Sequence, residues 1–194
     1  MAGVDEAGRG PMAGPVVAAA VVLDPSDVAS WWAGLRDSKL LSARARERLA
    51  EAIRRQAEVG VGMVAADRID AVGIAPATFQ AMRLALEDLG VAPDYILVDG
   101  RPPTAVCRRL LALPHKALVG GDRRCLSIAA ASIVAKVERD RLMLEYDRLF
   151  PGYGFARHKG YPTADHAKAL GELGPCAIHR RSWAPVRAVV ERLC

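Results

Sequence analysis

Apolar and polar positions along the chain sort most of it into short strands and amphipathic helices. Residues 2–6 and 15–23 read as two strands joined through Gly8-Arg9-Gly10-Pro11, the second valine-rich and bounded by Pro15 and Pro25. Their closeness along the chain predicts an antiparallel pair. A helix is expected over 43–58 behind the cap Ser42, and then a third strand over 59–65, where Val59, Val61 and Met63 alternate with Gly60 and Gly62. Pro76 suits a helix's first turn. Phe79, Met82, Leu86 and Leu89 follow it at helical spacing, and Gly90 supplies a stop. Tyr95 to Val98 is a continuous apolar run that delivers Asp99-Gly100 to a loop, as a buried strand would. A short fifth strand fits 115–119, and a long helix fits Asp122 to Phe150, ended by Pro151-Gly152.

Strands and helices in this order predict a mixed α/β sheet flanked by helices, followed by a small C-terminal helical segment. The expected units are 1–155 and 156–194, the second richer in His, Lys and Arg. No internal repeat or low-complexity tract interrupts them.

Composition narrows the partners. The chain has 194 residues, 52% of them hydrophobic, enough for one domain with a real core. Runs such as Val16 to Leu23 fall well short of the roughly 20 apolar residues of a membrane span, so none is expected. The opening Met1-Ala2-Gly3-Val4-Asp5 carries no secretory pattern, which makes the cytoplasm the expected location. Cys107, Cys125, Cys176 and Cys194 lack paired spacing and read as reduced thiols. A net charge of +5 favours a polyanionic partner without identifying one.

Against that basic background stand four acids at element ends: Asp5 and Glu6 after the first strand, Asp99 after another, and Asp122 at a helix start. Carboxylates gathered at one sheet edge repel one another and need a counter-charge. Divalent Mg²⁺ or Mn²⁺ suits oxygen ligands, and two such ions can activate water and stabilise the leaving oxygen of a phosphodiester. Asp122 also reads as an ordinary N-cap, and Asp99 as a turn residue before Gly100. Neighbouring strand residues point to opposite faces, so Asp5 and Glu6 share a site only where the strand twists or ends.

The stretch Asp5-Glu6-Ala7-Gly8-Arg9-Gly10-Pro11-Met12-Ala13-Gly14-Pro15-Val16 closely resembles the signature of type 2 ribonuclease H, the bacterial ribonuclease HII family. The likeness continues through Asp37-Ser38-Lys39-Leu40, Val98-Asp99-Gly100, Gly121-Asp122, the run Ser127 to Lys136, and His158-Lys159-Gly160-Tyr161, in the family's order. It implies a ribonuclease H-like fold in which Asp5, Glu6, Asp99 and Asp122 hold two Mg²⁺ or Mn²⁺ ions, Asp5 and Asp99 closest to both. It also implies that Gly8, Arg9 and Gly10 contact the ribonucleotide and its 2′-hydroxyl, and that Tyr161 packs on the sugar across the junction. Glycines permit such close backbone approach, and the 2′-hydroxyl is what separates RNA from DNA.

The activity so implied is cleavage 5′ of ribonucleotides in RNA–DNA hybrids, and of single ribonucleotides in duplex DNA, leaving 3′-hydroxyl and 5′-phosphate ends and serving ribonucleotide excision repair. Lys39, Arg157, Lys159, Lys168, Arg180 and Arg181 suit a phosphate-neutralising rim, with Lys39 taken as the substrate contact. His158, His166 and His179 read as structural or substrate-contacting, and Ser132 and Lys136 as either site supports or packing residues. Met12 and Trp183 stand where relatives often carry leucine and phenylalanine. A monomer is expected. The chain ends at Cys194 without the glutamine-led, paired-aromatic tail some relatives use on a sliding clamp, which puts clamp binding in doubt. Two other readings stay open: a nuclease of the same superfold that cuts DNA, and a nucleic-acid-binding module without turnover.

Overall fold

The computed structural model describes residues 1–24, 26, 32–35, 41–100 and 113–193. Lys39, the rest of Asp37-Ser38-Lys39-Leu40, Cys107 and Cys194 lie outside them. Strands β1 (Ala2–Ala7), β2 (Val16–Val22), β3 (Glu58–Val64), β4 (Ile96–Asp99) and β5 (His115–Leu118) form one sheet of order β3-β2-β1-β4-β5. β2 runs antiparallel to β1 and β3, whereas β1, β4 and β5 are mutually parallel. The mixed α/β sheet flanked by helices is the architecture the sequence pattern predicts.

Helices α1 (Trp32–Leu35), α2 (Ala43–Gln56), α3 (Ala66–Val72) and α4 (Ile74–Glu87) precede β4. The long α5 (Leu126–Leu149) and the short α6 (Phe155–His158), α7 (Ala164–Leu173) and α8 (Ala184–Leu193) follow β5. No helix among the described residues is long and apolar enough to cross a membrane. Ser42 caps α2 as expected, its hydroxyl accepting from the Ala45 amide. α3 was not foreseen. Its seven residues are too few to establish a helical period, and it stops at Gly73, where φ is +83°.

Side-chain alternation divides the sheet's two faces. Ala2, Val4, Val16, Ala18, Ile96 and Val98 pack with Ala77, Ala81, Met82 and Ala85 of α4. Gly60 and Gly62 matter here: a Cβ on either would run into the α4 backbone, so only glycine lets that helix sit down on β3. On the other face Ala19 and Val21 meet the small-residue run Ala129-Ala130-Ala131 and the branched Ile133 and Val134 of α5. Each fully buried Ile or Val there stabilises the fold by about 1.5–3 kcal/mol relative to exposure. Gly3 allows α5 to close in at Ser127 and Ile128, and that proximity fixes the height of Ser132 beside the end of β1.

α5 begins at Leu126, four residues later than the sequence suggests. Asp122 sits instead in a 3₁₀ turn, Gly121–Arg123, entered through Gly120 at φ +64°. Beyond α5 the chain folds back on the first half. Met12 packs with Leu170, Val186 and Val189, Ala13 packs with Met143, Tyr153 and Phe155, and Ala13 bridges to His179.

Candidate active site

The parallel register of β1 and β4 builds the centre of the site. It pairs Ala2 with Ile96, Gly3 with Leu97 and Val4 with Val98, so one step further sets Asp5 beside Asp99 on the α5 face of the sheet. Adjacent strands lie about 4.8 Å apart, which places the two carboxylates within each other's field. Asp99 Oδ1 accepts a 2.6 Å hydrogen bond from the Gly121 amide, which brings the turn carrying the buried Asp122 to the same sheet edge.

Alternation sends Glu6 toward the α4 face, opposite Ala18, but β1 ends one residue later and its carboxyl turns into the cleft. There it lies within hydrogen-bonding reach of Asp5 and takes a 3.2 Å contact from Arg9 Nη1. Burial, then the charges of Glu6 and Asp99, hold the Asp5 carboxyl well above the ordinary aspartate range, against hydrogen bonds from the Glu6 amide and Ser132 that pull it down. Burial also raises Glu6, although Arg9 opposes the rise.

Among the described residues, no three carboxylate, imidazole or thiol side chains are already drawn into a metal-ligating set. The donor chemistry nonetheless suits a hard divalent cation. Oxygen donors gather at one sheet edge, where burial first and the charges of Glu6 and Asp99 second raise Asp5. Asp5, Glu6, Asp99 and Asp122 are the residues that can hold such ions.

A cleft of about 440 Å³ opens beside Glu6, lined by Gly8, Arg9, Gly10, Arg46, Ser132, Lys136 and Tyr161. Tyr161 is 44% exposed, and its ring lies 3.6 Å from where a Cβ on Gly10 would stand. The turn and the tyrosine therefore face one another across a narrow gap. Ser132 and Lys136 do line the site, the lysine 2.5 Å from Asp140. Arg46, whose Nη1 donates to the Leu41 carbonyl at 2.7 Å, was missed because it reads as one more solvated arginine of α2.

Arg180, read from sequence as part of a basic rim, is instead fully buried, as is Arg139, which sequence gave no reason to single out. His166 and His179 are buried too. His166 donates Nδ1–H to the Tyr161 carbonyl, which leaves its Nε2 to accept from His179 Nε2–H at 3.1 Å. His179 Nδ1 in turn accepts from the Cys176 amide. This closed chain supports the structural reading of both imidazoles.

The ribonuclease HII family model matches residues 2–186. The chain belongs to the ribonuclease HII family. The ribonuclease HII of Syntrophotalea carbinolica is 54% identical over 189 residues, covering 96% of this chain and 86% of that one. Among solved structures, the ribonuclease H2 of Pyrococcus horikoshii OT3 superposes with a TM-score of 0.83 at 28% identity, covering 98% of this chain and 97% of that one. Bst-RNase HIII in complex with Mn²⁺ superposes with a TM-score of 0.82 at 21% identity, covering 98% and 69%, a likeness of fold. As a ribonuclease HII family member the chain is a ribonuclease H, an endoribonuclease and hydrolase, built on the ribonuclease H-like fold.

Proposed function

We propose that this ribonuclease H hydrolyses the phosphodiester 5′ of ribonucleotides, both in RNA–DNA hybrids and at single ribonucleotides embedded in duplex DNA. The observation that carries the reading is the position of the Asp5–Asp99 pair one turn away from the Gly8–Gly10 backbone, with Tyr161 across the gap. Water adds to phosphorus, the bond from phosphorus to the upstream O3′ breaks, and that oxygen takes a proton. The ends left are a 3′-hydroxyl and a 5′-phosphate.

Asp5, Glu6, Asp99 and Asp122 hold the divalent cations. When bound, two Mg²⁺ or Mn²⁺ ions supply Lewis-acid activation of water and neutralise charge at the leaving oxygen. Ser132 orients the Asp5 carboxylate through its hydroxyl. The Gly8–Gly10 backbone approaches the ribose without Cβ interference and offers hydrogen-bonding groups to its 2′-hydroxyl, while Tyr161 stacks on the next sugar. Arg46 and Lys136 offer positive charge to the flanking phosphates. The protein acts as a monomer in the cytoplasm, with 1–155 as its catalytic unit and 156–194 packed against it.

Incubation with Mg²⁺ and then Mn²⁺ on matched duplexes containing no, one or several ribonucleotides, with the cut positions mapped, tests this. A single cut 5′ of an isolated ribonucleotide is expected. Equal cleavage of the all-DNA duplex would favour a DNA nuclease, and binding without metal-stimulated turnover would favour a silent binding module.

A further inference from the structure

Two buried guanidiniums lie at the back of the cleft, Arg139 among the residues lining it, and among the described residues neither forms a salt bridge with a carboxylate. Arg180, in the C-terminal segment, donates from Nε to the Gly14 carbonyl (3.0 Å), from Nη1 to that of Arg9 (3.0 Å) and from Nη2 to that of Gly8 (2.5 Å). Its planar group lies over Trp183, 4.9 Å from the ring centroid. Arg139, on α5, donates from Nε to the Pro15 carbonyl (3.0 Å), from Nη1 to that of Lys159 (2.9 Å) and from Nη2 to that of Ala13 (3.2 Å).

The two sets of bonds cross. Arg180 reaches from the C-terminal segment to the Gly8–Gly10 turn, and Arg139 reaches from the sheet-bound helix to Lys159, two residues before Tyr161. Lys159 is held at φ +53°, the one left-handed non-glycine among the described residues. Arg139 also lies directly beneath Gly8, which has φ +96°, so a side chain at that position would meet both a strained backbone and the guanidinium.

Peptide geometry gives this a consequence at the cleft. In a trans peptide the carbonyl and the following amide point in opposite directions, and the chain has no cis bond among the described residues. With the Gly8 and Arg9 carbonyls turned back onto Arg180, the Arg9 and Gly10 amides are turned away from it. Gly8, Arg9 and Gly10 line the cleft. Among the described residues neither amide is tied to a backbone acceptor.

We propose that Arg139 and Arg180 are positioning residues which, by this crossed clamp, set the distance and orientation between the Gly8–Gly10 turn and Tyr161 and so set discrimination for the ribonucleotide. The inference rests on the proposed reading of that turn and Tyr161 as sugar contacts. The clamp makes the C-terminal segment part of the specificity machinery rather than an appendage, although among its described residues only Tyr161 lines the cleft.

Arg180→Lys and Arg139→Lys test the clamp, because lysine keeps the charge but replaces the planar fork of donors with a single ammonium. For each, kcat and KM are measured on one-ribonucleotide and all-DNA duplexes, with Mn²⁺ affinity by calorimetry and the melting temperature alongside. The expected result is a loss of tenfold or more in kcat/KM on the one-ribonucleotide duplex, falling on kcat. Preference over all-DNA should shrink, Mn²⁺ affinity should stay within twofold, and the protein should remain folded at assay temperature. Adding Tyr161→Ala to Arg139→Lys should cost less than the product of the two single losses, since both act on one gap. A smaller loss, multiplicative losses, a parallel loss of Mn²⁺ affinity, or failure of both variants to fold would overturn the proposal. A wild-type protein without preference for the ribonucleotide duplex would sink the functional reading itself, before any variant is made.

Discussion

The molecule carries charge in two buried places and treats it in opposite ways. At the sheet edge Asp5, Glu6 and Asp99 stand close together, and burial, followed by the charges of its two neighbours, pushes the Asp5 carboxyl well above its ordinary range. Behind the cleft Arg139 and Arg180 are more deeply buried, yet each spends three donors on backbone carbonyls. Burial, with help from Arg139, pushes Arg180 down only to about 9, so it stays cationic at neutral pH. Charge matched by aimed donors holds structure, whereas like charges buried side by side repel, and that repulsion is relieved when a counter-ion binds between them.

The largest effect should come from taking a carboxylate out of the crowded end. Asp99→Asn should lower kcat by about a thousandfold, the equivalent of the several kcal/mol that metal-assisted charge stabilisation supplies. The fold should be kept, as single-turnover cleavage and circular dichroism together would establish. Asp5→Asn adds a stability readout whose sign is fixed. Because the folded-state pKa of Asp5 is raised, the folded chain retains a proton that the unfolded chain releases. Stability of the metal-free protein should therefore fall as pH climbs from about 4 through that raised value. Urea denaturation of Asp5→Asn should show a shallower slope, keeping only the share that the raised Glu6 contributes. Added Mg²⁺ should remove the slope from the wild type alone.

The satisfied end should respond the other way. Arg180→Met leaves the Gly8, Arg9 and Gly14 carbonyls without their donor, and one buried unsatisfied group costs about 1–3 kcal/mol. A loss of about 3 kcal/mol or more in urea denaturation is expected, with Mg²⁺ giving it no particular relief. Equal metal sensitivity at both ends would dissolve the distinction.

Sequence made the crowded end legible and the satisfied end almost invisible. Asp5 and Asp99 sit after apolar runs that read as strands, but strand ends alone left Asp99 open as a turn residue, and it was the resemblance to ribonuclease HII that implied a shared site. Arg139 and Arg180 look like any other arginine of a basic chain, because burial of a guanidinium depends on carbonyls from Gly8 to Pro15 and Lys159 that only tertiary folding brings near. Asp122 was assigned to a helix start because the Gly120-Gly121 pair before it conceals a separate 3₁₀ turn. Glu6 could be placed only by the point where β1 stops pairing, which alternation alone does not reveal.

A third, smaller effect should appear in the imidazole chain that joins Tyr161 to Cys176. Burial holds His166 and His179 at about 4, so both stay neutral in the folded protein where the unfolded chain would take up protons. Stability should be fully present above about pH 6.5 and fall as pH drops toward 4, by on the order of 2–3 kcal/mol for an imidazole shifted this far. His179→Gln should flatten that acid limb in denaturation curves. It should leave the opposite, carboxylate-driven slope of the metal-free protein in place.

The smallest effect falls on the residue that belongs to both regions. The Arg9 carbonyl is held by Arg180, whereas its side chain, 55% exposed, leans on Glu6. Arg9→Ala removes only the second connection. An ion pair this open to solvent contributes about 1 kcal/mol or less, so denaturation midpoints should scarcely move. Glu6 should nevertheless take up its proton at higher pH, because Arg9 is the main influence lowering its pKa against burial. Carboxyl chemical shifts followed through a pH titration would register that rise. A large loss of stability with no movement of Glu6 would place the side chain of residue 9 with the structural charges rather than with the acids.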